Sequence, residues 1–519
     1  MRPLCFILIL AITFLSLSAR AEAQITTTLE SVNAYGQLGD DESSTPGYGG
    51  TFSANLQLLV FTSRASNLVP NDTNNDWDVF VRDRVNHTVS RVSVTSSGQE
   101  SHTYAYASGI SADGRYVTFL AKASFPSPNS SRTAVFVHDL VTGSTTRISD
   151  DHGSATGGCL SYDGRYIAFS SSSNQLVPGD TNGTDDAFVY DQVNQTMTRV
   201  SVDSSGGEGD AYSFGACISL NGRFVTFGST STNLVPNDTN LRSDIFVHDL
   251  QTAETTRVSV TSDGAQANDN SYPTTISLDG RFVAFESDAS NFFGGDDHGP
   301  DVFVHDRVTG KTILASTSSS GQRGNDSSFG GSLSQDGRFV AFDSYASNFI
   351  SGDTNHAIDS FVHDFETGET HCVSINLSGV TSYFGGAGAR MSPDGRYAVF
   401  SSYSSDLVPG DTNNHADVFL RGAPLVLEAS PATVAAGDTI TLTTTFGEPA
   451  HPTSLWVTSI SDTPTFLLVI TGSFDPTGMW TLSGTVPSGL GLTTIDFRTL
   501  AIGLPGQIVS SNDASVVFQ

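Results

Sequence analysis

The stretch SADGRYVTF, residues 111–119, decides the fold of this chain because variants of it recur along most of the sequence. Asp-Gly between two apolar runs is a strong β-hairpin signal, since glycine adopts the positive φ that the turn requires. The flanking runs are rich in Val, Ile, Phe, Tyr and Thr, which suit buried strands. Six copies follow one another, with the turn Asp or Asn at Asp113, Asp163, Asn221, Asp279, Asp336 and Asp394. A degenerate copy, SANLQLLVF at 53–61, makes seven repeats.

Each repeat also contains a second signature, usually D-x-F-V-x-D, and most continue through a turn into a fourth strand-like stretch, which reads R-V-S-V at 91–94, 199–202 and 257–260. Each unit is therefore expected to form four short strands without a helix. Seven such units favour radial packing into a β-propeller. Repeat seven lacks a fourth strand, whereas residues 25–32 resemble one. We expect this amino-terminal strand to complete the last blade.

Two phenylalanines in each repeat occupy equivalent strand positions, and we predict that they pack neighbouring blades together. The first set is Phe61, Phe119, Phe169, Phe227, Phe285, Phe342 and Phe400. The second set is Phe80, Phe136, Phe188, Phe246, Phe303, Phe361 and Phe419.

The repeat signatures end near residue 423, and residues 424–519 contain about seven short strand-like segments, as immunoglobulin-like sandwiches do. Trp456 and Trp480 are the expected core residues of this region. The chain is therefore predicted to be all-β, with a seven-bladed β-propeller at 24–423 followed by a small immunoglobulin-like β-sandwich at 424–519.

The SxDGRYVAF and FVxD repeats resemble the WD40-like repeats of TolB-type periplasmic propellers. The resemblance implies the β-propeller fold and a periplasmic location. It implies no particular activity, because propellers carry many unrelated functions. TolB has an α/β domain before its propeller and acts with the Tol-Pal system, whereas this chain has seven repeats and a carboxyl-terminal β module. The resemblance therefore does not imply a Tol-Pal role.

Residues 1–23 have the pattern of a cleavable signal peptide, with Arg2, an apolar stretch at 4–17 and the small-residue site Ala21-Glu22-Ala23. The mature protein is expected to begin at Gln24 and to be secreted or periplasmic. No later stretch is apolar enough to predict a membrane span. Cys159 and Cys217 occupy equivalent strand positions in successive repeats and are predicted to be packed thiols rather than a disulfide.

The formal net charge of −30 restricts the partners of this protein. Phosphate groups would be repelled over much of the surface, which makes nucleic acid and anionic lipid poor partners. Cations, glycans and basic protein surfaces remain compatible with the charge. We expect a monomer that binds a protein or a glycan.

The connection between the second and third strands repeats the string D-T-N, which offers oxygen ligands at alternate positions, as calcium requires. The candidate calcium ligands are Asp72, Asn74, Asp76, Asp78, Asp180, Asn182, Asp353, Asn355, Asp411 and Asn413. The competing interpretation is that these side chains only stabilise tight turns by bonding backbone amides. No loop has the Gly and Glu of an EF-hand, and no other cofactor is predicted.

Four histidines share one position of F-V-H-D in different repeats, namely His138, His248, His305 and His363. Because they belong to different blades, a shared zinc site is not expected. The chain also has no G-x-S-x-G nucleophile elbow followed by suitable Asp and His partners. No catalytic residue is therefore predicted.

Three functional hypotheses remain. The first is an exported, non-catalytic binding or scaffold protein that uses one acidic loop face of the propeller. The second is a polysaccharide-acting propeller enzyme, either a lyase or a glycosidase. The third is a structural cell-surface spacer. Because strands alternate in direction, the D-T-N loops should share a face with the linkers between blades, and we expect that face to be strongly negative.

Overall fold

The computed structural model describes residues 27–47, 49–293 and 299–422 in full, and the backbone of ten strands between Glu428 and Phe518. One compact unit comprises Thr26–Ala423. Every regular element in the described ranges is a β-strand. The strands of this unit form seven four-stranded sheets, which confirms the predicted all-β class and the seven-bladed β-propeller.

The blades have equivalent strands. The first strands are Ser43–Ser44, Ala105–Ile110, Ala155–Leu160, Ser213–Ile218, Ser271–Ile276, Ser328–Leu333 and Ala387–Met391. The second strands are Leu58–Ser63, Tyr116–Lys122, Tyr166–Ser171, Phe224–Ser229, Phe282–Ser287, Phe339–Ser344 and Tyr397–Ser402. The third strands are Asp78–Asp83, Thr133–Asp139, Asp186–Asp191, Asp244–Asp249, Asp301–Asp306, Asp359–Asp364 and Asp417–Gly422. The fourth strands of blades 1 to 6 are Thr88–Arg91, Thr145–Arg147, Thr196–Arg199, Thr255–Arg257, Lys311–Leu314 and Thr370–Cys372.

Blade 7 takes its fourth strand from the amino-terminal end of the described chain. Thr27–Leu29 pairs antiparallel with the third strand of blade 7, with Thr27 opposite Arg421 and Leu29 opposite Phe419. In the other blades the four strands pair in chain order. The predicted closure of the ring is therefore confirmed.

The repeated S-x-D-G-R stretch forms the hairpin between the first and second strands. In blade 2, Ser111 Oγ and the Arg115 amide both donate to Asp113 Oδ1, while Gly114 adopts a φ of +75°. The Arg115 guanidinium then donates two hydrogen bonds to Asp139, at 3.2 and 2.8 Å. These bonds lower the pKa of Asp139 to about 2. The S-x-D-G-R signature thus supplies the arginine of this ion pair, and the third-strand signature supplies the aspartate.

The phenylalanine pairs that recur in every repeat pack between neighbouring blades. Phe61 lies opposite Phe80 on adjacent strands, and their ring centroids are 5.7 Å apart. Between blades 1 and 2, Val60 packs in one buried cluster with Phe119 and Phe136. Burial of such side chains contributes roughly 2 to 3 kcal/mol each. The predicted packing role of these rings is confirmed.

The third-strand histidines also connect successive blades. His138 Nδ1 lies 2.8 Å from Thr145 Oγ1, and that hydroxyl donates to the Val94 carbonyl of blade 1. Because the hydroxyl has only one proton, Nδ1 of His138 must be the donor in the first bond. The same arrangement recurs at His248, His305 and His363. Each histidine is buried in its own blade.

Blade 1 has Arg82 at the position of these histidines, where blade 7 meets blade 1. Arg82 Nε donates to Glu30 at 3.1 Å, and Arg84 Nε donates to the other carboxylate oxygen at 3.3 Å. Glu30 follows directly after the closing strand. Glu30 is 4% exposed and Arg82 is 9% exposed. A buried ion pair therefore accompanies the strand pairing that closes the ring.

The prediction that Cys159 and Cys217 are separate thiols was wrong. The two residues form a disulfide that joins the first strands of blades 3 and 4, with a Cα–Cα distance of 5.1 Å. First strands of successive blades contact each other, so equivalent positions in neighbouring repeats can lie within bonding range. Cys372 is a buried free thiol.

Beyond Gly422 the structure describes only backbone strands. They are Glu428–Ser430, Thr433–Val434, Thr439–Thr445, Thr453–Val457, Leu468–Gly472, Met479–Thr485, Thr494–Phe497, Leu500–Leu504, Gln507–Ser511 and Ala514–Phe518, and they form three sheets. The immunoglobulin-like packing and the core roles of Trp456 and Trp480 concern side chains outside the described part of the chain. The predicted signal peptide at 1–23 also lies outside it.

Candidate functional site

The second-to-third-strand loops lie on the same face of the propeller as the linker residues that lead into each first strand. We call this surface the loop face. Hydrogen bonds join the two sets of segments directly: the Thr73 amide donates to Glu100 at 3.2 Å, and the Thr181 amide donates to Glu208 at 2.9 Å. The predicted sharing of one face is therefore confirmed for these connections.

The Asn of each D-T-N string forms the turn. Asn74 Oδ1 accepts the Asp76 amide at 2.9 Å, and Asn74 Nδ2 donates to Asp78 Oδ2 at 2.8 Å. The next residue, Asn75, has a φ of +52°, a conformation that Asn tolerates well. Asn182, Asn355 and Asn413 make equivalent bonds. These four candidate ligands therefore have their side-chain amides engaged in turn formation.

A buried arginine lies among the carboxylates of the first loop. Arg91 Nη1 is 3.1 Å from Asp72, 3.5 Å from Asp78 and 2.8 Å from Glu100. Asp78 also accepts a hydrogen bond from Ser93 Oγ. In this blade a guanidinium occupies the position at which a calcium ion would be expected. Asp76 lies apart from this group and accepts the Trp77 amide.

Blades 3 and 4 have the same arrangement. Asp180, Asp186 and Glu208 place carboxylate oxygens within 4.8 Å of one another, a spacing that would fit a metal, but Arg199 Nη1 pairs with all three. In blade 4, Arg257 pairs with the two equivalent aspartates. In blade 5, where Leu314 replaces the arginine, Arg323 from the following linker pairs with Asp301 instead.

Blades 6 and 7 retain the aspartates without an arginine. Cys372 stands at the arginine position of blade 6, and Leu29 stands there in blade 7. No Arg or Lys within the described ranges pairs with the blade 6 carboxylates Asp353 and Asp359 or with the blade 7 carboxylates Asp411 and Asp417. Burial raises the pKa of Asp359 and of Asp417 to about 6. Among the described residues, these two blades therefore contain carboxylate pairs that no arginine or lysine neutralises.

The D-T-N aspartates of blades 1, 3 and 4 add little to the negative charge expected on the loop face. The side chains of Asp72, Asp180 and Asp238 are 4%, 1% and 3% exposed, and each pairs with an arginine. In blades 1, 3 and 4 these carboxylates are therefore buried and neutralised by arginine, and they contribute little negative charge to the surface. Sequence reasoning missed the arginines because they come from the fourth strand, 19 residues after the first Asp of each D-T-N string. The recurring R-V-S-V stretch was the available signal.

Exposed aromatic side chains also lie on the loop face. Tyr106, Tyr212 and Tyr272 lie at or next to the start of first strands and are 40%, 42% and 39% exposed. The Trp77 ring of the first loop lies 6.0 Å from the Tyr106 ring. Further exposed rings follow the second strands or lie in a linker, at Tyr345, Tyr403, Tyr383 and Phe384. None belongs to the recurring signatures of the repeat, so the fold does not require them.

Comparisons with known proteins concern the fold alone. No protein-family model and no curated protein sequence matches the chain. Among solved structures, TolB from Acinetobacter baumannii is 13% identical with a TM-score of 0.36, covering 71% of this chain and 80% of that chain. The structure of putative TolB from Agrobacterium tumefaciens is 14% identical with a TM-score of 0.36, covering 65% of this chain and 94% of that chain. TolB propellers are thus among the folds that this chain resembles, as its repeats predict.

A structure from a study of two prolyl endopeptidases is also similar, at 10% identity and a TM-score of 0.45, covering 79% of this chain and 55% of that chain. The described residues include no helix with the length and apolarity needed to cross a membrane.

Proposed function

We propose that this chain is an exported, non-catalytic binding protein that contacts a protein or glycan partner through the loop face of its propeller. The observation that carries the proposal is the concentration of exposed aromatic rings on that face, outside the repeat signatures. Tyr and Trp are enriched where proteins bind partners, because they combine a large apolar surface with a polar group. The repeat residues of the same face are engaged in turns and ion pairs.

Export is part of the same proposal. Its basis in the sequence is the signal-like segment at 1–23, and the disulfide between Cys159 and Cys217 supports it. Disulfides persist in oxidising compartments such as the periplasm and the extracellular space.

The proposal is tested by comparing partner capture by variants with substitutions on the loop face and on the opposite face of the propeller. Immobilised mature protein, residues 24–519, would be exposed to an envelope extract and to a glycan array. We expect Tyr106→Ser with Tyr403→Ser to lose the retained partner. The matched control is Tyr162→Ser, since Tyr162 is 45% exposed in an Asp-Gly-Arg hairpin on the opposite face. Equal retention by all variants, or turnover of a polysaccharide by the purified protein, would contradict the proposal, and absence of any retention would favour a spacer.

We also propose that cation binding by the D-T-N loops is confined to blades 6 and 7. In the part of the chain that the structure describes, no arginine pairs with Asp353 or Asp411, in contrast to blades 1, 3 and 4, and this difference favours the restriction. Two adjacent carboxylates without a counter-charge attract a hard cation such as calcium. The other candidate ligands then have only a structural role.

Calcium titration distinguishes the two groups of loops. Because ligand binding to the native state stabilises it, calcium chloride should raise the melting temperature of the wild type. We expect Asp353→Asn with Asp411→Asn to abolish this increase. Asp72→Asn with Asp180→Asn is the matched control and should retain the increase, whatever its starting stability. A wild type that shows no calcium-dependent shift would overturn this second proposal.

A further inference from the structure

Three aromatic rings form a corner between blades 4 and 5, which we call the blade 4–5 corner: Tyr212, Phe214 and Tyr272. The rings of Tyr212 and Phe214 stack with centroids 5.1 Å apart and planes inclined by 18°. The Tyr272 ring lies 6.3 Å from Phe214 and is tilted by 52°. The corner therefore presents two ring surfaces at an angle to each other, and both tyrosines are partly exposed.

The backbone beneath the corner departs from the repeat to accommodate these rings. Gly228 lies opposite Phe214 on the second strand of blade 4, and a Cβ atom there would come within 2.7 Å of the Phe214 ring and 2.9 Å of Pro273. The equivalent residues of the other blades all have side chains: Thr62, Leu120, Ser170, Glu286, Asp343 and Ser401. The absence of a side chain at this single position allows Phe214 to lie across the strand.

Three carboxylates lie within electrostatic reach of Tyr272. Glu286 lies directly opposite Tyr272 on the adjacent strand, and its carboxylate accepts the Gly330 amide at 2.6 Å. Asp288, Asp269 and Glu286 all add to the effect of burial in raising the pKa of Tyr272. Within the described ranges no Arg or Lys stacks on Phe214 or Tyr272. Asp269 also pairs with Arg242 at 3.4 Å, and Glu286 lies within electrostatic reach of Arg390, so the three carboxylates outnumber the two arginines beside these electron-rich ring faces.

The chain already uses cation–ring stacking inside its own fold. Arg165 stacks on Tyr166 and Arg223 stacks on Phe224, each with the guanidinium carbon 4.7 Å from the ring centroid, while the same arginines pair with aspartates. These internal sites combine an aromatic face with a carboxylate around one guanidinium. The blade 4–5 corner has the same two components. Such contacts contribute about 0.5 to 2 kcal/mol, depending on solvation.

We propose that the blade 4–5 corner binds a cationic side chain, Arg or Lys, of a protein partner by stacking on its rings and pairing with its carboxylates. The inference rests on the proposed binding function and names the chemistry of the partner at one site. A neutral glycan would stack on the rings but would gain nothing from the carboxylates. A polyanion would be repelled by them.

Binding of a labelled tetra-arginine peptide to the mature protein, measured by fluorescence anisotropy, tests this inference. A tetra-citrulline peptide of the same shape serves as the uncharged probe. We expect Tyr272→Ser and Gly228→Leu each to weaken tetra-arginine binding about tenfold, which corresponds to about 1.4 kcal/mol. Leu occurs naturally at the equivalent position of blade 2, so the second variant changes the corner without an unfamiliar residue in the strand. Tyr162→Ser, on the opposite face, should bind within about twofold of the wild type, since it leaves the corner intact.

Several results would overturn the inference. Equal binding of tetra-citrulline would show that charge is not recognised, and unchanged binding by both corner variants would leave only a general attraction to an acidic protein. Loss of a bound chito- or cello-oligosaccharide in the corner variants, without an effect on tetra-arginine, would assign the corner to a glycan. If Tyr106→Ser with Tyr403→Ser loses the partner while Tyr272→Ser retains it, the proposed function stands and this inference fails.

Discussion

At the scale of single residues, the same amino acid at the same repeat position has different chemical surroundings from blade to blade. Asp78 and Asp359 both begin a third strand, and both accept an Asn amide and a Ser hydroxyl. Arg91 neutralises the first, whereas Cys372 replaces the arginine beside the second. The role of a D-T-N loop therefore depends on a residue that the loop itself does not contain.

The buried histidines predict an acid-dependent loss of stability. Burial lowers the pKa of His363 to about 4, whereas an unfolded histidine has a pKa of about 6.5. The unfolded state then binds a proton more readily, so stability is lost as the pH falls from about 6.5 towards 4. For this one residue we expect roughly 2 to 3 kcal/mol between pH 7 and pH 4.5.

Urea unfolding of His363→Gln at both pH values checks this expectation. The variant should lose less stability on acidification than the wild type by about that amount. Substitution of the exposed His102 by Gln is the matched control for the change of residue type. Parallel pH profiles for the wild type and His363→Gln would contradict the burial argument.

At the scale of strands, the sequence was sufficient to predict the order of elements in the propeller. The Asp-Gly hairpins, the paired phenylalanines and the missing fourth strand all follow from local patterns that recur in register. The arginine sites could not be predicted in the same way, because Arg91, Asp72 and Glu100 come from three segments that meet only after folding. The distance between equivalent residues of adjacent blades, which decides the disulfide, is likewise a property of the assembled ring.

The disulfide predicts a measurable contribution to stability at this scale. Cys159 and Cys217 are 58 residues apart. In the chain-entropy treatment, a loop of this length corresponds to about 4 kcal/mol of stabilisation through restriction of the unfolded chain. Replacement of both cysteines by Ala should lower the free energy of unfolding by roughly this amount.

Thiol titration of the denatured mature protein provides the direct check on the bond itself. One reactive thiol, from Cys372, is expected before reduction and three are expected after it. Three thiols in the untreated protein would show that the bridge does not form.

At the scale of the whole molecule, the ring is closed by two interactions of different kinds. Strand pairing between Thr27–Leu29 and the third strand of blade 7 gives the geometry. The ion pair of Glu30 with Arg82 and Arg84 joins the same segment to blade 1. Because each blade buries its apolar surface only against its neighbours, opening this junction would expose the rings of two blades.

Glu30→Gln tests the contribution of the ion pair to closure. The substitution leaves the buried Arg82 guanidinium without its counter-charge, and removal of one partner of a buried pair costs about 3 to 5 kcal/mol. We expect a clearly lower melting temperature and increased aggregation. Glu254→Gln, at an exposed turn, is the matched control and should behave as the wild type. An unchanged melting temperature for Glu30→Gln would show that strand pairing alone is sufficient.

The pairing of Thr27 with Arg421 also places the first and last strands of the propeller side by side in blade 7. The strands Asp417–Gly422 and Thr27–Leu29 pair like the two arms of a β-hairpin, but no turn joins the end of the first directly to the start of the second. In blade 2 the corresponding turn consists of residues 140–144. A linker of that length would connect the two strands, and new termini could then be opened at an exposed Asp-Gly-Arg turn in another blade. Circular permutation should therefore preserve the propeller, with any of the seven blades able to serve as the one that is completed last.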